Sequence, residues 1–171
     1  MKVGIIHFYN RSFPPEIRLE KQSAALLEAG YEVCVLTQKI SDDELDYEQV
    51  DNKFSIKRIK VGKQSFISRF NFNRKEYIDG LAEFISFFNP DILHVHDFHT
   101  VPTILNFVNN RIPVIADLHE NMPAAWRSYR SNYYFLKKVI HSMVYNYYIW
   151  RFFEKKYLSQ CGAILVTVPE A

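Results

Sequence analysis

The sequence predicts a doubly wound α/β fold, in which helices cover both faces of a parallel sheet. Continuous apolar runs such as VGIIHF (3–8) and PVIA (113–116) are typical of strands that are buried on both faces. Stretches with apolar residues at helical spacing lie between these runs. Strand and helix alternate regularly, which implies parallel pairing through right-handed crossovers. At 171 residues and 48% apolar content, the chain has the length of one ordinary domain.

The elements of the first half follow from their residue patterns. After the first strand, a helix begins at Pro15, a residue suited to a first helical turn, and stops at Gly30. YEVCVLT (31–37) is a second buried strand, and the acidic segment 42–48 is predicted to be a solvated loop. FSIKRIKV (54–61) alternates apolar and basic residues, which is typical of a strand nearer the edge of the sheet.

The second half continues the same alternation. The Asn89-Pro90 pair marks a break between elements. The predicted elements, in chain order, are a helix at 74–88, a strand at 91–97, a short helix at 101–109, a strand at 113–119, a long amphipathic helix at 133–158 and a last strand at 163–168. Charged residues within the long helix exclude a membrane-spanning role for it.

Composition and charge argue against several classes of function. The net charge of +2 is too mild to indicate nucleic-acid binding. No Gly-x-Gly-x-x-Gly segment follows the first strand, which disfavours a dinucleotide-dependent oxidoreductase. Cys34 and Cys161 lack metal-type spacing and are predicted to be buried, reduced thiols. Together with the absence of a signal-peptide pattern, these features predict a cytoplasmic protein.

Charge is distributed unevenly along the chain. Residues 1–52 carry ten acids and five bases, whereas residues 53–75 carry eight bases and no acid, interleaved with aromatic residues. One interpretation is a solvated basic strand face followed by a loop. The other is peripheral contact with anionic lipid headgroups at the inner face of the membrane.

The carboxyl ends of the parallel strands are the expected ligand site, because helix N-termini and polar loop residues converge there. The polar residues that follow the predicted strands are Tyr9, Asn10, Arg11, Thr37, Gln38, Asp97, His99, His119, Glu120 and Glu170. Arg18, in the first helix, belongs to the same region and, like Arg11, suits a phosphate or an acidic acceptor, or an ordinary surface ion pair.

The segment ADLHEN (116–121) is the strongest candidate among these strand ends. Asp117 and His119 project to the same side of an extended strand, so Asp117 is placed to fix the tautomer of the His119 ring. A helix-capping role for Asp117 is the alternative. Glu120 is expected to hold the following loop or to contact substrate.

The histidines of DILHVHD and the following turn raise the question of a metal site. His94, His96 and His99 lie close in sequence, and alternate strand residues share a face. A strand buried on both faces would hide His94, and no cysteine joins the set. We therefore expect no metal.

The order of these segments resembles the N-terminal half of GT-B glycosyltransferases of the retaining family 4. The resemblance is carried by RLEKQSAALLEAGYEVCVLT, PDILHVHD, DLHE and FFEKKYLSQCGAILVTVPEA. It implies one Rossmann-like half of a GT-B architecture, with residues 1–171 as the acceptor-side domain, incomplete at its C-terminal end, and with the nucleotide-sugar domain absent. The Gly-Gly turn of many members is replaced by NRSFPPEIR (10–18).

The resemblance also implies a function for the complete enzyme. It is expected to transfer a sugar from a nucleotide sugar to a glycan, lipid-linked or small-molecule acceptor with retention, in bacterial cell-envelope polysaccharide synthesis, without a metal cofactor. His119 and Asp97 are the implied catalytic residues. The implied substrate contacts are Asn10, Arg11, Arg18, His99, Asp117 and Glu120. The isolated chain would be inactive. The alternatives are a non-enzymatic binding module and a GT-B-like sugar-nucleotide epimerase.

Overall fold

One mainly parallel sheet organises the chain. The computed structural model describes residues 1–8, 13–61, 75–119 and 146–166. The strands in these residues are β1 (Lys2–His7), β2 (Glu32–Lys39), β3 (Tyr47–Asp51), β4 (Phe54–Lys60), β5 (Ile92–His96), β6 (Val114–Leu118) and β7 (Ala163–Val166). The helices are α1 (Ile17–Glu28), α2 (Lys75–Phe88), α3 (Val101–Val108) and α4 (Tyr147–Leu158).

The strand order is β3-β4-β2-β1-β5-β6-β7. Only β3 runs antiparallel to its neighbour, β4; the other pairs in the described sheet are parallel. From β1 the chain builds outward through β2 and β4, then crosses back to build β5, β6 and β7 on the other side. The predicted doubly wound fold is therefore confirmed. The switch in direction lies between β1 and β5, where sheets of this kind bind ligands.

The acidic segment is a loop over residues 42–46, as predicted, but its last two residues belong to the strand β3, which the sequence did not predict. Its residues are mostly exposed and show no apolar run, so the sequence carries no strand signal there. The pairing comes from the hairpin with β4, whose turn is closed by Asp51: its Oδ1 accepts hydrogen bonds from the backbone N–H groups of Lys53 (2.7 Å) and Phe54 (2.9 Å). As a result β4 is the second strand from this edge.

The two faces of the sheet bury different helices. On one face, α1 packs through Leu19 against alternate apolar residues of β1, β2 and β4. On the other face, α2, α3 and α4 cover the larger apolar core, which includes Phe84 and Trp150. Gly80 allows α2 to approach β4, because a Cβ at this position would lie 2.5 Å from Cδ1 of Ile59. The sheet is thus covered on both faces, as a doubly wound fold requires.

Two further sequence predictions need correction. A single helix over 133–158 is wrong, because Asn146 has an extended backbone and caps α4: its side chain accepts hydrogen bonds from the N–H groups of Tyr148 and Ile149. Residues 133–145 lie outside the described part of the chain. Cys34 is buried as predicted, whereas Cys161 is only half-buried. Burial raises the pKa of both thiols to about 11.

The basic residues of β4 are largely paired within the fold. Lys57 Nζ lies 2.7 Å from Glu83 Oε1, and the nearly buried Arg58 donates to Glu48 Oε2 at 2.8 Å and to the carbonyl of Phe13 at 2.8 Å. Exposed Lys60 pairs with Asp42. Part of the charge asymmetry in the sequence is therefore internal, since acids of the 42–48 segment neutralise bases of β4.

Candidate functional site

A group of four histidines and one acid gathers at the carboxyl ends of β1, β5 and β6. We call this group, formed by His7, His94, His96, Asp117 and His119, the histidine cluster. His96 lies opposite Asp117 in the β5–β6 register, and His94, two residues earlier, projects to the same face. His119 follows β6 and shares the face of Asp117. The strand register therefore collects all five side chains on the face that α1 covers.

Asp117 is the single negative charge of the histidine cluster and is only 3% exposed. Its Oδ2 accepts hydrogen bonds from Gln22 Nε2 of α1 at 2.6 Å and from His94 Nε2 at 3.2 Å. Burial acts to raise the pKa of Asp117, but these two hydrogen bonds and the nearby imidazoles outweigh burial and hold the pKa at about 2. Asp117 is thus a buried carboxylate that stays ionised at neutral pH.

His119 meets His96 more closely than it meets Asp117. The Nε2 atom of His119 lies 2.8 Å from Nδ1 of His96, whereas its Nδ1 lies 3.7 Å from Asp117 Oδ1. Asp117 and His119 do share a face, as the sequence predicted. The 3.7 Å separation is longer than a hydrogen bond, however, whereas the contact with His96, a residue that the sequence indicated only as a metal ligand, is within hydrogen-bond distance.

The histidine cluster is mostly shielded from water. His96 is 1% exposed, and burial, with the neighbouring His94 as a second cause, lowers the pKa of His96 to about 2. Burial also lowers the pKa of His7, which is buried as predicted. Of the His119 side chain 6% is exposed, so little of this ring is open to a substrate in this conformation.

Charged groups from α1 and from the end of β5 surround the mouth of the histidine cluster. Burial lowers the pKa of His7, and the charges of Asp97 and Glu16 (which raise this pKa) and of Arg18 (which lowers it) contribute smaller effects. Asp97 has φ of 62°, a left-handed conformation that is uncommon for a residue other than glycine. Its N–H donates to the carbonyl of Asp117 at 3.0 Å. Such backbone conformations concentrate at functional sites.

The N-terminus of α1 is capped by a carboxylate of the chain itself. Glu16 Oε2 accepts from the N–H groups of Arg18 (3.1 Å) and Leu19 (3.2 Å), and Glu16 Oε1 lies 3.3 Å from Arg18 Nε. The orphan N–H groups that could bind an anionic ligand therefore already have an anionic partner. Arg18 lies near the site as predicted, but its guanidinium engages Glu16.

The remaining predicted site residues divide into two groups. His99 is exposed beside the site, with Nε2 3.4 Å from the carbonyl oxygen of Phe8. Asn10, Arg11 and Glu120 lie outside the described residues. The structure thus brings Arg18, Asp97, His99, Asp117 and His119 to one edge of the sheet.

Sequence reasoning missed five members of the site, of which His7 lies inside the predicted buried strand 3–8 and gave no separate signal. His96 and His94 were weighed only as metal ligands, although their spacing of two residues on a strand beside ADLH does place them on the face of Asp117. Gln22 and Glu16 gave no signal, since an amide or an acid on an amphipathic helix is usually solvated. Their roles depend on how α1 docks on the sheet.

Among the described residues, His94, His96 and Asp117 form a group that could hold a metal ion, because one nitrogen or oxygen atom of each lies within 4.8 Å of the others. Imidazole and carboxylate suit a divalent transition metal. However, Asp117 Oδ2 already accepts from Gln22 and His94. Metal binding at this oxygen would displace hydrogen bonds that stabilise the buried carboxylate.

Chemically, the site combines neutral imidazoles with one buried negative charge. Asp117 is too deeply buried to attack a substrate, so it acts on the neighbouring rings through its charge. Half-buried Asp97 is placed to make hydrogen bonds with a polar ligand, whereas Nε2 of His119 faces His96 and its Nδ1 is buried. Among the described residues, no helix is both long enough and apolar enough to cross a membrane.

Comparison with known families gives one match over most of the chain. The sequence profile described as Glycosyltransferase Family 4 matches residues 16–169. This range contains Arg18, Asp97, Asp117 and His119 of the site. No match was found among the curated proteins.

Solved structures agree on the fold. The sucrose-phosphate synthase of Thermosynechococcus elongatus superposes with a TM-score of 0.72 at 13% identity, over 99% of this chain and 43% of that chain. A second structure of this synthase superposes with a TM-score of 0.64 at 14% identity, over 99% of this chain and 78% of that chain. The calicheamicin glycosyltransferase superposes with a TM-score of 0.51 at 12% identity, over 99% of this chain and 48% of that chain. The chain therefore spans 43% of the length of the first of these enzymes.

Proposed function

The chain belongs to glycosyltransferase family 4 as the N-terminal domain of a GT-B fold, and from this membership we propose that it forms the acceptor-binding half of a sugar transferase. The complete enzyme transfers a sugar from a nucleotide sugar to an acceptor hydroxyl with retention of configuration. The observation that carries this proposal is the histidine cluster beside Asp97 at the switch point of the sheet. It offers fixed hydrogen-bonding groups for a polar acceptor at the place where such folds bind ligands.

In this proposal the domain acts by positioning and by electrostatics. His119 and Asp97 position the acceptor hydroxyl against the donor sugar, and Asp117 orients the His119 ring from 3.7 Å away. The partner domain supplies the clamp for the leaving phosphate. The carboxylate cap at α1 supports this division, because Glu16 occupies the N–H groups through which a helix N-terminus would bind phosphate.

No metal takes part in the proposed reaction. The hydrogen bonds of Asp117 to Gln22 and His94 support this, because they already stabilise the only buried carboxylate among the described members of the site. Asn10, Arg11, Arg18, His99 and Glu120 remain proposed substrate contacts. Arg18 would have to exchange its contact with Glu16 for one with substrate.

Lipid-linked acceptors and a cytoplasmic, membrane-peripheral location also remain proposals. The basic stretch 53–75 was the basis in the sequence for membrane contact. Lys57 and Arg58 are paired in the fold and unavailable to headgroups. Lipid contact would therefore depend on Lys60, on other exposed bases and on residues 62–74, which lie outside the described part of the chain.

The proposal is tested by assaying the full-length protein with uridine, guanosine and adenosine diphosphate sugars, each with glycan and lipid-linked acceptors. We expect release of nucleoside diphosphate that depends on the acceptor, and a product with the anomeric configuration of the donor. Asp97→Asn should lower the rate, and Asp79→Asn, an exposed acid on α2, is its control. Conversion of the donor to an epimer without transfer would identify an epimerase, and ligand binding without turnover a binding module. Either result would contradict a transferase.

A further inference from the structure

The contact between His96 and His119 requires a defined proton arrangement. Two imidazole nitrogens 2.8 Å apart, Nδ1 of His96 and Nε2 of His119, form a hydrogen bond only if one carries a proton and the other does not. Burial keeps the His96 ring neutral at ordinary pH. His96 therefore carries one proton, either on Nδ1, where it points at His119, or on Nε2.

Asp117 selects between the two arrangements. Its Oδ1 lies 3.7 Å from Nδ1 of His119, so a proton on this nitrogen is attracted by the carboxylate, whereas a bare nitrogen would turn its lone pair toward a negative charge. With the proton of His119 on Nδ1, its Nε2 is free of a proton and accepts from Nδ1–H of His96. The carboxylate and His96 thus act on opposite nitrogens of one ring.

The second nitrogen of His96 supports the same assignment. Its Nε2 is buried and has no hydrogen-bond partner among the described residues. If His96 carried its proton on Nε2, this buried N–H would face no acceptor among the described residues, whereas the equally buried Nδ1–H of His119 in the other arrangement faces the Asp117 carboxylate at 3.7 Å. Placing the proton on Nδ1 leaves only a bare nitrogen at this position. Packing also holds the ring, since His94 stacks on it with centroids 5.0 Å apart.

We propose that His96 is a positioning residue for His119: its Nδ1–H donates to Nε2 of His119 and fixes both the orientation and the tautomer of that ring. The proposal rests on the role given above to His119 in binding the acceptor. His119 then keeps its proton on Nδ1, which is buried and faces Asp117, and has no Nε2–H. This arrangement fixes the ring that the proposed function places against the acceptor.

The first test measures the tautomers directly in the chain labelled with ¹⁵N-histidine, by long-range ¹H–¹⁵N correlation spectra at neutral pH. We expect protonated Nδ1 and bare Nε2 for both His96 and His119. In His96→Leu, which removes the donor, the His119 signals should move toward the Nε2–H form. In His96→Asn, whose amide N–H stands near the position of Nδ1–H, they should stay close to wild type.

His94→Asn is the matched control, because it changes a buried histidine on the same strand and face whose Nε2 hydrogen-bonds to Asp117. It should leave the His119 tautomer unchanged, and circular dichroism verifies that each variant is folded. Unaltered His119 signals in folded His96→Leu would overturn the proposal. So would an Nε2–H form in the wild type, or one equivalent of tightly bound metal in the purified chain.

The second test separates this proposal from the proposed function. In the full-length enzyme, His96→Leu should lower kcat by about a hundredfold, the effect of misplacing a reacting group by about 1 Å, with little change in KM, and His96→Asn should restore most of the rate. If the tautomers are as assigned but His119→Ala leaves turnover unchanged, the proposed function is wrong and the positioning contact stands. If turnover requires His119 but is equal in His96→Leu and wild type, the positioning role is wrong.

Discussion

Replacing the buried carboxylate by an amide, Asp117→Asn, should lower stability in a way that depends on pH. The pKa of Asp117 is about 2 in the folded chain and 3.8 without the fold. A difference of nearly two units at about 1.36 kcal/mol per unit corresponds to about 2 kcal/mol of folding free energy from ionised Asp117. Little of this is lost to solvent screening, because the side chain is only 4% exposed.

The sign of the pH effect follows from the depressed pKa. Because the folded pKa lies below the unfolded value, the contribution of Asp117 is fully present above about pH 4 and is lost as the pH falls toward about 2. The amide also places an NH₂ group where Gln22 or His94 donates now, which adds a cost that does not vary with pH. Only the pH-dependent part of the difference in unfolding free energy between wild type and Asp117→Asn therefore reports on the charge of Asp117.

The assay is urea unfolding followed by circular dichroism, for wild type and Asp117→Asn, from about pH 7 to about pH 2. The gap in free energy of unfolding should be largest at neutral pH and shrink by about 2 kcal/mol through the acid range. Asp79→Asn is the control and should change stability by less than about 0.5 kcal/mol at any pH. A constant gap across the pH range would refute the view that Asp117 is an ionised, stabilising member of the histidine cluster.

Three other outcomes are expected. The chain alone should bind uridine, guanosine and adenosine diphosphate sugars only weakly in calorimetry; a dissociation constant below about 1 μM would contradict its assignment as the acceptor half. Wild-type stability should fall as the pH drops below 6.5, because His7 and His96 take up protons in the unfolded chain but not in the buried rings. The folded pKa values are depressed, so the loss of stability begins at the unfolded pKa, and it should be smaller in His96→Asn. A flat stability profile from about pH 7 to about pH 5 would contradict this prediction. The chain should sediment with anionic but not neutral vesicles, and Lys60→Gln with Lys63→Gln should weaken this binding; equal sedimentation with both vesicle types would favour a soluble acceptor.

The overall fold could be predicted because its signals are local. Apolar runs and helical spacing located the buried strands and helices of the described residues to within a few positions, as for β6 and α1. Two elements differed from the prediction, because they depend on specific contacts and not on the pattern of apolar residues. The strand β3 has no apolar run and forms because β4 offers it a partner through a tight hairpin. The start of α4 is set by one side chain, Asn146, inside an otherwise continuous helical pattern.

The site could be located but not assembled from the sequence. Strand ends pointed to Asp97 and His119, and the two-residue spacing placed Asp117 beside His119. The contact between His96 and His119 depends on the register of β5 against β6, which no local pattern specifies. The bond from Gln22 to Asp117 depends on the docking of α1, across 95 residues of sequence. Tertiary contacts of this kind decide which of several plausible polar residues meet.

The most direct measurement of the central claim is the turnover of His119→Ala in the full-length enzyme, with a donor and an acceptor on which the wild type is active. We expect kcat to fall by about two to three orders of magnitude, the effect of removing one preorganised electrostatic group. The fold should survive, since the residue follows β6 and lies outside the apolar core. A folded His119→Ala enzyme that transfers sugar at the wild-type rate would contradict the placement of the acceptor site at this edge of the sheet.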